Sequence, residues 1–339
     1  MAQYLAGRGH HVTVLTTSPS PNEEVSTDGI TVIRFRVLAE PLRNPLSPKL
    51  PLVFRKLVRD VDVVHLHSPY TFTTLLSYPF SPKDRTVITL HGRAYYTGLA
   101  KLLAKIHERL SFLLLRGASR FIALTELDAS YMESMGVPSS RIEIIPNFVD
   151  VSELEGWSEE VDPVKKEHEI QLLYVGGLVE AKGLDQLLLD LKEISELDIG
   201  LWMIGSGPLE GKLRGLASDS VKFLGRRPRR SLVPYFKGAD ALILPSRSEG
   251  FPTVVLEAAA LGTPVILSDI PVHRLLFSDM ALFYTPGDPR TLRRAIDRLV
   301  AGAEDLVERA RREVRSRYDV RVVGERILRL YSQITGIDH

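Results

Sequence analysis

Two glutamates, Glu249 and Glu257, stand at the beginning of one predicted helix. Glu249 follows a strand predicted at 239–245, and Glu257 lies within an apolar helix predicted at 252–261. An unpaired carboxylate in such a helix is costly, and the free N–H groups at a helix start favour a phosphate. The alternative is that Glu249 only complements the helix dipole and that Glu257 is a surface residue. We favour the functional interpretation.

Other candidate side chains also follow strands. Lys182 comes after the strand predicted at 171–176, and His91 ends the strand predicted at 86–91. The alternatives are a solvated lysine at a helix start and a strand-end histidine bonded to backbone. His65 and His67 lie two residues apart and share one face of a strand. No third ligand is spaced nearby, so we interpret them as cleft-edge or packing residues and not as metal ligands.

Several other kinds of catalytic site are not supported. Gly205 and Gly207 open a helix after a strand, but the third glycine of a dinucleotide fingerprint is missing. The phosphate-binding segment GxxxxGK[ST] does not occur either. Both NAD-binding and P-loop functions are therefore disfavoured. Neither a Ser-His-Asp triad nor an opposing acid for a glycosidase can be identified. The chain has no cysteine, which excludes a disulfide scaffold, a thiolate metal site and a cysteine nucleophile.

Short β-branched runs alternate with amphipathic stretches along the chain, as in βαβ units with mostly parallel sheets. Two sheets are predicted, and ligands should bind at the carboxyl ends of their strands. A polar, acidic stretch at 147–169 has no apolar period and is the predicted linker. The predicted strands are 11–17, 31–36, 62–67, 86–91, 120–124 and 142–146 in the first set, and 171–176, 200–205, 221–225, 239–245, 264–268 and 281–285 in the second.

The composition of the 339 residues is that of a globular protein with two domains. Lys and Arg number 43 against 42 Asp and Glu, so no global field indicates a nucleic-acid partner. No apolar run is long enough for a membrane span and no export signal is visible, so a cytoplasmic location is expected. Asn and Gln are few while Arg, Glu and Lys are plentiful, which favours a thermophilic source.

Several segments resemble the signature of retaining glycosyltransferase family 4, the glycosyl transferases group 1. The resemblance implies the α/β GT-B fold, with two Rossmann-like doubly wound domains facing a cleft and a C-terminal helix crossing back to the N-terminal domain. The implied boundaries are 1–148, a linker at 149–169, 170–320, and the C-terminal helix at 321–339. The matching segments are 5–16, 62–67, 90–92, 144–147, 174–178, 182–183, 204–208 and 245–269.

The resemblance implies a metal-independent enzyme without a cofactor, which moves a hexose from a nucleotide-diphosphate sugar to an acceptor hydroxyl with retention. It places three catalytic residues: His91 against the donor sugar, Glu249 on the sugar hydroxyls and Lys182 on the diphosphate. Glu257 should accept hydrogen bonds from the ribose. The other implied positions are Gly176, Gly177, Gly205, Gly207, Arg226, Gly250, Phe251 and Thr253 for the donor, and His67 and Asn147 on the acceptor side.

Gly177 departs from the family pattern, which has an arginine at this position. A charge-assisted contact to the diphosphate is then missing. Either Arg226 or Arg247 substitutes for it, or donor binding is weaker than usual. A catalytically weak nucleotide-sugar-binding subunit, or a fragment of such an enzyme, is therefore the alternative function, and a GT-B sugar-phosphate synthase or epimerase is a third.

The segment 43–120 carries 13 Lys or Arg against four acidic residues. Within it, 99–116 has the pattern of a basic amphipathic helix that could lie on anionic lipid. The alternative is a core helix whose apolar stripe faces the sheet. The first interpretation predicts a lipid-linked acceptor and peripheral attachment to the inner face of the cell membrane, whereas the second leaves a soluble glycan or small molecule equally open.

Family members begin with a strand, a glycine-rich turn and a helix, whereas this chain begins within that helix. The first strand of a doubly wound sheet is central, so we expect a gap between its neighbours. We also expect the natural protein to start upstream of Met1.

Overall fold

The computed structural model describes residues 1–20, 23–41, 44–92 and 98–337, apart from the side chains of 99–101. It consists of two compact units. Unit 1 comprises Met1–Pro146 with Val320–His339, and unit 2 comprises Asn147–Asp319. The boundary thus falls at 146, close to the predicted 148, and the C-terminal helix belongs to the N-terminal unit.

Unit 1 contains two sheets. One has the order β1-β3-β2, with β1 parallel to β3 and β2 antiparallel to it. The other has the order β4-β5-β6-β7 and is entirely parallel. The strands are β1 Val12–Ser18, β2 Glu23–Thr27, β3 Ile30–Arg36, β4 Val64–His67, β5 Thr86–Leu90, β6 Arg120–Ala123 and β7 Ile142–Ile144.

The helices of unit 1 lie before β1, between the later strands and at the C-terminus. Every residue of β5 is buried, as is typical of a parallel strand covered on both faces. The core on which α4 and α5 pack includes the rings of Phe112 and Phe121. The helices are α1 Ala2–Gly7, α2 Lys49–Leu57, α3 Phe72–Ser77, α4 Gly98–Leu115, α5 Glu126–Ser134 and α14 Val320–Thr335.

Strand β2 is the one described strand that the sequence analysis missed. All five of its residues are exposed, so it has no alternation of buried and exposed positions to reveal it. The signal that could have found it is the turn that follows. Asp28 and Gly29 both have positive φ, 46° and 78°, and Asp-Gly is a favoured pair in two-residue hairpin turns.

A cavity of about 400 Å³ lies between β1 and β4 in unit 1. Consecutive residues of both strands line it, 13–17 and 63–67, so the strands present their main-chain edges to it. Among the described residues, β1 pairs only with β3 and β4 only with β5. The gap that the sequence analysis expects in this domain stays a prediction.

Unit 2 contains one sheet of six parallel strands in the order β10-β9-β8-β11-β12-β13. The order along the chain reverses between β8 and β11, which creates a switch point where open α/β sheets bind ligands. The strands are β8 Ile170–Val175, β9 Ile199–Ile204, β10 Val221–Gly225, β11 Ala241–Leu244, β12 Val265–Ser268 and β13 Leu282–Tyr284. The prediction of an α/β fold with parallel sheets is confirmed.

The stretch predicted as a linker is different in the structure, because 151–159 forms a helix. The Asp150 side chain caps it by accepting the Glu153 N–H at 2.9 Å, and Val151 and Leu154 are buried. Its acidic residues mask these two apolar anchors, which explains why no apolar period was recognised. The helices of unit 2 are α6 Val151–Glu159, α7 Leu184–Glu193, α8 Glu210–Leu216, α9 Val233–Gly238, α10 Thr253–Leu261, α11 Pro271–Phe277, α12 Pro289–Val300 and α13 Glu304–Glu313.

After α13 a π-helical turn, Val314–Tyr318, leads to α14, which packs on α1 in unit 1. Tyr4 of α1 lies against Gly324 so closely that a side chain at that glycine would overlap its ring. The Tyr4 hydroxyl also donates to Glu325 at 2.7 Å. The expected return of the C-terminal helix to the N-terminal domain is thereby confirmed.

Candidate active site

The switch point of unit 2 brings Lys182 and Glu249 together. Lys182 ends a short 3-10 turn after β8, and Glu249 lies in the loop between β11 and α10. The Lys182 Nζ donates to Glu249 Oε1 at 2.6 Å, and the Ser246 hydroxyl donates to the same oxygen at 2.6 Å. The side chains of Lys182 and Glu249 are 25% and 8% exposed, so this ion pair is largely shielded from water.

Backbone hydrogen bonds fix the two loops to each other. The N–H groups of Arg247 and Ser248 both donate to the carbonyl of Ala181, at 2.8 and 3.3 Å. The loop after β11 is therefore docked on the turn that carries Lys182. The Lys182 and Glu249 side chains are held by both their own bond and the backbone beneath them.

Four glycines predicted to contact the donor line two adjoining loops, after β8 and β9. Gly205 has a φ of +149°, and a Cβ there would lie 1.8 Å from the Gly176 carbonyl oxygen. A Cβ on Gly207 would lie 2.4 Å from the Leu178 carbonyl oxygen. Only glycine permits this approach. Gly177 is different, because a Cβ there would have only ordinary contacts with Val179.

Glu257 is paired in the structure, so the cost of an unpaired carboxylate in this apolar helix does not arise. The Arg229 Nε donates to Glu257 Oε1 at 2.7 Å, and Arg229 Nη1 donates to Glu153 at 2.8 Å. The guanidinium also lies over the Trp157 ring. Only 13% of the Glu257 side chain is exposed, so the pair stabilises a carboxylate within an otherwise apolar helix.

The residues around the start of α10 pack beside this pair. Phe251 is buried, and its ring makes edge contacts with Phe277 and Tyr318. Its carbonyl accepts the Asn147 side-chain amide at 3.2 Å. Asn147, predicted on the acceptor side, is thus a member of unit 2 and contacts the loop of Glu249. Gly250 is partly buried and Thr253, the first residue of α10, is exposed.

The two arginines considered as substitutes at Gly177 differ in their surroundings. Arg247 donates to the Glu180 carbonyl and to Asp185, both at 2.8 Å. Arg226 directly follows β10, whose Gly225 carbonyl accepts the Gly205 N–H at 2.9 Å. Arg226 is exposed and has no ion pair with any described residue. Of the two, Arg226 has the uncommitted charge.

One buried histidine near Glu249 was missed by the sequence analysis. His273 is fully buried on α11, and its Nδ1 donates to the Ser268 carbonyl at 2.9 Å. Burial lowers its pKa, and the charge on Glu249 opposes that shift. The Ser268 hydroxyl donates to the Ser246 carbonyl, which links His273 to the loop of Glu249. The sequence carries no signal for this, because any apolar helix can bury a histidine.

In unit 1 the predicted histidines form a stack at the carboxyl ends of β4 and β5. His65 stacks on His67 with ring centroids 4.4 Å apart, and His67 stacks on His91 at 5.0 Å. His67 Nδ1 and His91 Nε2 are 2.7 Å apart, within hydrogen-bond distance. Among the described residues, no group of three His, Cys, Asp or Glu side chains is arranged to hold a metal ion.

The stack favours neutral imidazoles. Burial lowers the pKa of His65, and the neighbouring His67 and His91 lower it further. Loss of water around the ring and the nearby His91 lower the pKa of His67 to about 4, although part of its side chain is exposed. Burial also lowers the pKa of His91. The three rings are therefore uncharged at neutral pH.

No helix in the described part of the chain has both the length and the apolar character needed to cross a membrane.

Comparison with known proteins agrees with this architecture. A phosphatidyl-myo-inositol mannosyltransferase of Mycobacterium tuberculosis is 29% identical over 99% of this chain and 92% of its own. A sucrose-phosphate synthase of Thermosynechococcus elongatus superposes with a TM-score of 0.77 at 22% identity, covering 98% of this chain and 91% of the other. HepE of Anabaena, solved with UDP and glucose, has a TM-score of 0.72 at 16% identity and covers 95% and 99%.

Two family descriptions together account for nearly the whole chain. The sequence model of Glycosyltransferase Family 4 matches residues 1–153, and that of glycosyl transferases group 1 matches 157–317. The structural neighbours share the GT-B fold. The chain is a glycosyltransferase that belongs to the glycosyl transferases group 1 family.

Proposed function

We propose that the protein transfers a hexose from a nucleotide-diphosphate sugar to an acceptor hydroxyl with retention of anomeric configuration. The observation that carries this proposal is the Lys182–Glu249 pair at the switch point of unit 2, beside the loops containing Gly205 and Gly207. A lysine cation and close-packed backbone suit a diphosphate, and a carboxylate suits sugar hydroxyls because it offers two acceptor oxygens.

The proposed roles follow from the chemistry of each group. Transfer breaks the bond between the anomeric carbon and the diphosphate oxygen and forms a bond to the acceptor oxygen. The leaving diphosphate gains negative charge, and a preorganised cation stabilises this charge most effectively. Lys182 supplies that cation, and the leaving phosphate takes the acceptor's proton on the same face of the sugar. Glu249 orients the sugar through its hydroxyls.

Neutralisation of the diphosphate is assigned to side chains, without a metal. Lys182 is already fixed by its bond to Glu249. The exposed side chain of Arg226, which directly follows β10, is assigned the role of the arginine that the family has at 177. Glu257 is assigned to the ribose hydroxyls, held in position by Arg229 at 2.7 Å. The amide groups at the start of α10 lack acceptors within the helix and add to the anion site.

Turnover tests this assignment directly. The protein is incubated with UDP-glucose or GDP-mannose and a panel of octyl glycosides, with and without EDTA, and the anomeric configuration of any product is read by NMR. We expect an α-linked product from an α-linked donor. An inverted product contradicts retention, and activity abolished by EDTA contradicts metal independence. Binding of donor without turnover on any acceptor favours the alternative of a binding subunit.

We further propose that the acceptor is lipid-linked and that α4 holds unit 1 on the cytoplasmic face of a membrane. The helix has two apolar faces. Its buried face includes Phe112 and Leu115, which pack in the core of unit 1. Its other face consists of six apolar side chains, each between 51% and 65% exposed: Leu102, Leu103, Ile106, Leu110, Leu113 and Leu114.

This exposed stripe is too large to be ordinary surface. Isolated apolar side chains are common on protein surfaces, whereas contiguous stripes mark binding sites. Lys105 and Arg109 lie on the same helix and are exposed, so they can contact lipid phosphates while the leucines enter the acyl boundary. These six side chains do not face the sheet, because the opposite face of α4, with Phe112 and Leu115, packs in the core.

Flotation with vesicles tests the membrane proposal. We expect the protein to bind vesicles of phosphatidylglycerol and phosphatidylcholine but to bind pure phosphatidylcholine weakly. The double change Leu110→Glu with Leu114→Glu should remove binding. The matched control is Leu189→Glu with Leu275→Glu, two leucines of unit 2 that are 43% and 44% exposed. Equal loss of vesicle binding in both double variants contradicts the proposal. Equal binding to vesicles with and without phosphatidylglycerol contradicts it as well.

A further inference from the structure

The stack of histidines in unit 1 is more ordered than packing requires. Both ring nitrogens of His65 are engaged, because Nδ1 lies 2.6 Å from the Tyr331 hydroxyl and Nε2 lies 2.6 Å from Thr89 Oγ1. Tyr331 comes from α14, and Thr89 comes from β5, where it is the register partner of His67. The His65 ring can therefore neither rotate nor flip without losing two hydrogen bonds.

His67 is held by this fixed ring. It lies two residues along β4, and its ring stacks on His65 with an angle of 23° between the planes. Its Nδ1 points to His91 Nε2 at 2.7 Å. Successive contacts thus lead from α14 through His65 and His67 to His91, which stands at the end of β5.

Two ring nitrogens at the outer end of the stack are available to bind a ligand. His91 Nδ1 and His67 Nε2 have no hydrogen-bond partner among the described residues, while every nitrogen deeper in the stack has one. In a neutral imidazole, one nitrogen donates and the other accepts, so the bond at Nε2 decides which role Nδ1 of His91 can play. The lowered pKa values keep both rings neutral, which this coupling requires.

We infer that His67 is a positioning residue, which fixes the ring orientation and the tautomer of His91 so that His91 Nδ1 meets the donor sugar in a single hydrogen-bonding role. The inference rests on the proposed function for the contact with the sugar. The coupling between the two rings stands on the geometry alone. A ring held in one tautomer avoids the loss of productive geometry that a freely flipping histidine suffers.

Three substitutions separate the hydrogen bond from the stacking. His67→Phe keeps an aromatic ring on His65 but removes the bond to His91. His67→Asn loses the ring but places an amide near the position of Nδ1. Thr89→Val removes a bond to His65 without touching His91 and is the matched control. Thermal melts establish that each variant is folded, and His67→Ala replaces the phenylalanine variant if that variant does not fold.

The first readout is the ring ¹⁵N spectrum of His91 at pH 7.5, which needs no substrate. We expect one tautomer in the wild type, in Thr89→Val and in His67→Asn, and a mixture of tautomers in His67→Phe. A single, unchanged tautomer in His67→Phe overturns the inference. So does a mixture in the wild type.

The second readout is release of nucleoside diphosphate from UDP-glucose or GDP-mannose with the best acceptor. We expect kcat to fall about 10- to 100-fold in His67→Phe while KM for the donor changes less than threefold, and His67→Asn to restore most of kcat. A purely structural role would raise KM and lower stability in both variants. Absence of turnover in the wild type would contradict the proposed function, whereas the tautomer spectra would still decide the coupling.

Discussion

The ion pair between Lys182 and Glu249 makes a prediction about stability that does not depend on any substrate. Replacing Lys182 by Met leaves a carboxylate that is only 8% exposed without its cation. Breaking a buried pair in this way costs about 3–5 kcal/mol. Because Lys182 is 25% exposed and Ser246 still donates to Glu249, we expect a smaller loss, about 2 kcal/mol.

The reverse substitution should be milder. Glu249→Gln retains an oxygen that accepts from Ser246, and water can reach the remaining Lys182 cation, so we expect a loss of about 1 kcal/mol. The double variant should be more stable than Lys182→Met alone, because it carries no buried charge. This order of stabilities is specific to a pair whose carboxylate is the more buried partner.

The two tryptophans of the chain, Trp157 and Trp202, both lie in unit 2, so their fluorescence reports the unfolding of this unit. With a urea m-value of about 2 kcal/mol per molar, Lys182→Met should lower the midpoint by about 1 M. Lys212→Met is the matched control, because the Lys212 side chain is 58% exposed and its partner Asp185, 3.3 Å away, keeps a second ion pair with Arg247. It should change stability by less than about 0.5 kcal/mol.

Two results would refute this reasoning. One is a Lys182→Met variant as stable as the control, which would mean that Glu249 is well solvated without its lysine. The other is a Glu249→Gln variant less stable than Lys182→Met, which would make the lysine the more costly partner to leave alone. Either result would remove the basis for a preorganised cation at the switch point.

Three further predictions concern the glycine loops and the histidine stack. A Cβ at Gly177 makes only ordinary contacts, and Gly177→Arg should tighten UDP or GDP binding about 10-fold or more by calorimetry, through a charge-assisted bond worth about 1.5–3 kcal/mol, with Gly211→Arg on α8 as the unaffected control. Gly205→Ala should destabilise unit 2 by more than about 2 kcal/mol in urea melts, because its Cβ would overlap the Gly176 carbonyl, whereas Gly211→Ala should be neutral or stabilising. The lowered pKa of His67, about 4, means that the unfolded chain binds more protons between pH 4 and 6.5, so stability should fall on acidification through that window. After discounting for the exposed part of the ring, His67 should account for about 1 kcal/mol of the stability lost between pH 7 and 5. In urea melts, the unfolding free energy of His67→Phe should therefore fall by about 1 kcal/mol less over this range than that of the wild type.

Most of the fold was predictable because buried parallel strands are short apolar runs, and this pattern is local in sequence. The strands of unit 2 were predicted to within one or two residues, since each is flanked by loops rich in glycine or proline. The two elements that were not predicted, β2 and α6, have few or no buried residues. Strand β2 is fully exposed, and α6 is anchored by only two buried residues within an acidic stretch.

The candidate site was only partly predictable, because pairing depends on residues far apart in sequence. Strand ends indicated where Lys182 and Glu249 lie, but not that they bond across 67 residues. The partner of Glu257 is Arg229, which no local pattern selects. The bond between His67 and His91 likewise depends on the register of β4 and β5, which becomes visible only when the strands are paired.

The most direct test of the central claim is a thermal-shift panel with UDP, GDP and ADP. A nucleotide at 100 times its dissociation constant adds about 2.7 kcal/mol of stability, enough to raise the midpoint by several degrees. We expect a shift with one of the three that is lost in Glu257→Ala and kept in Glu153→Ala, which removes the other carboxylate bonded to Arg229. No shift with any nucleotide, or a shift that survives Glu257→Ala, would contradict a nucleotide site at the switch point of unit 2.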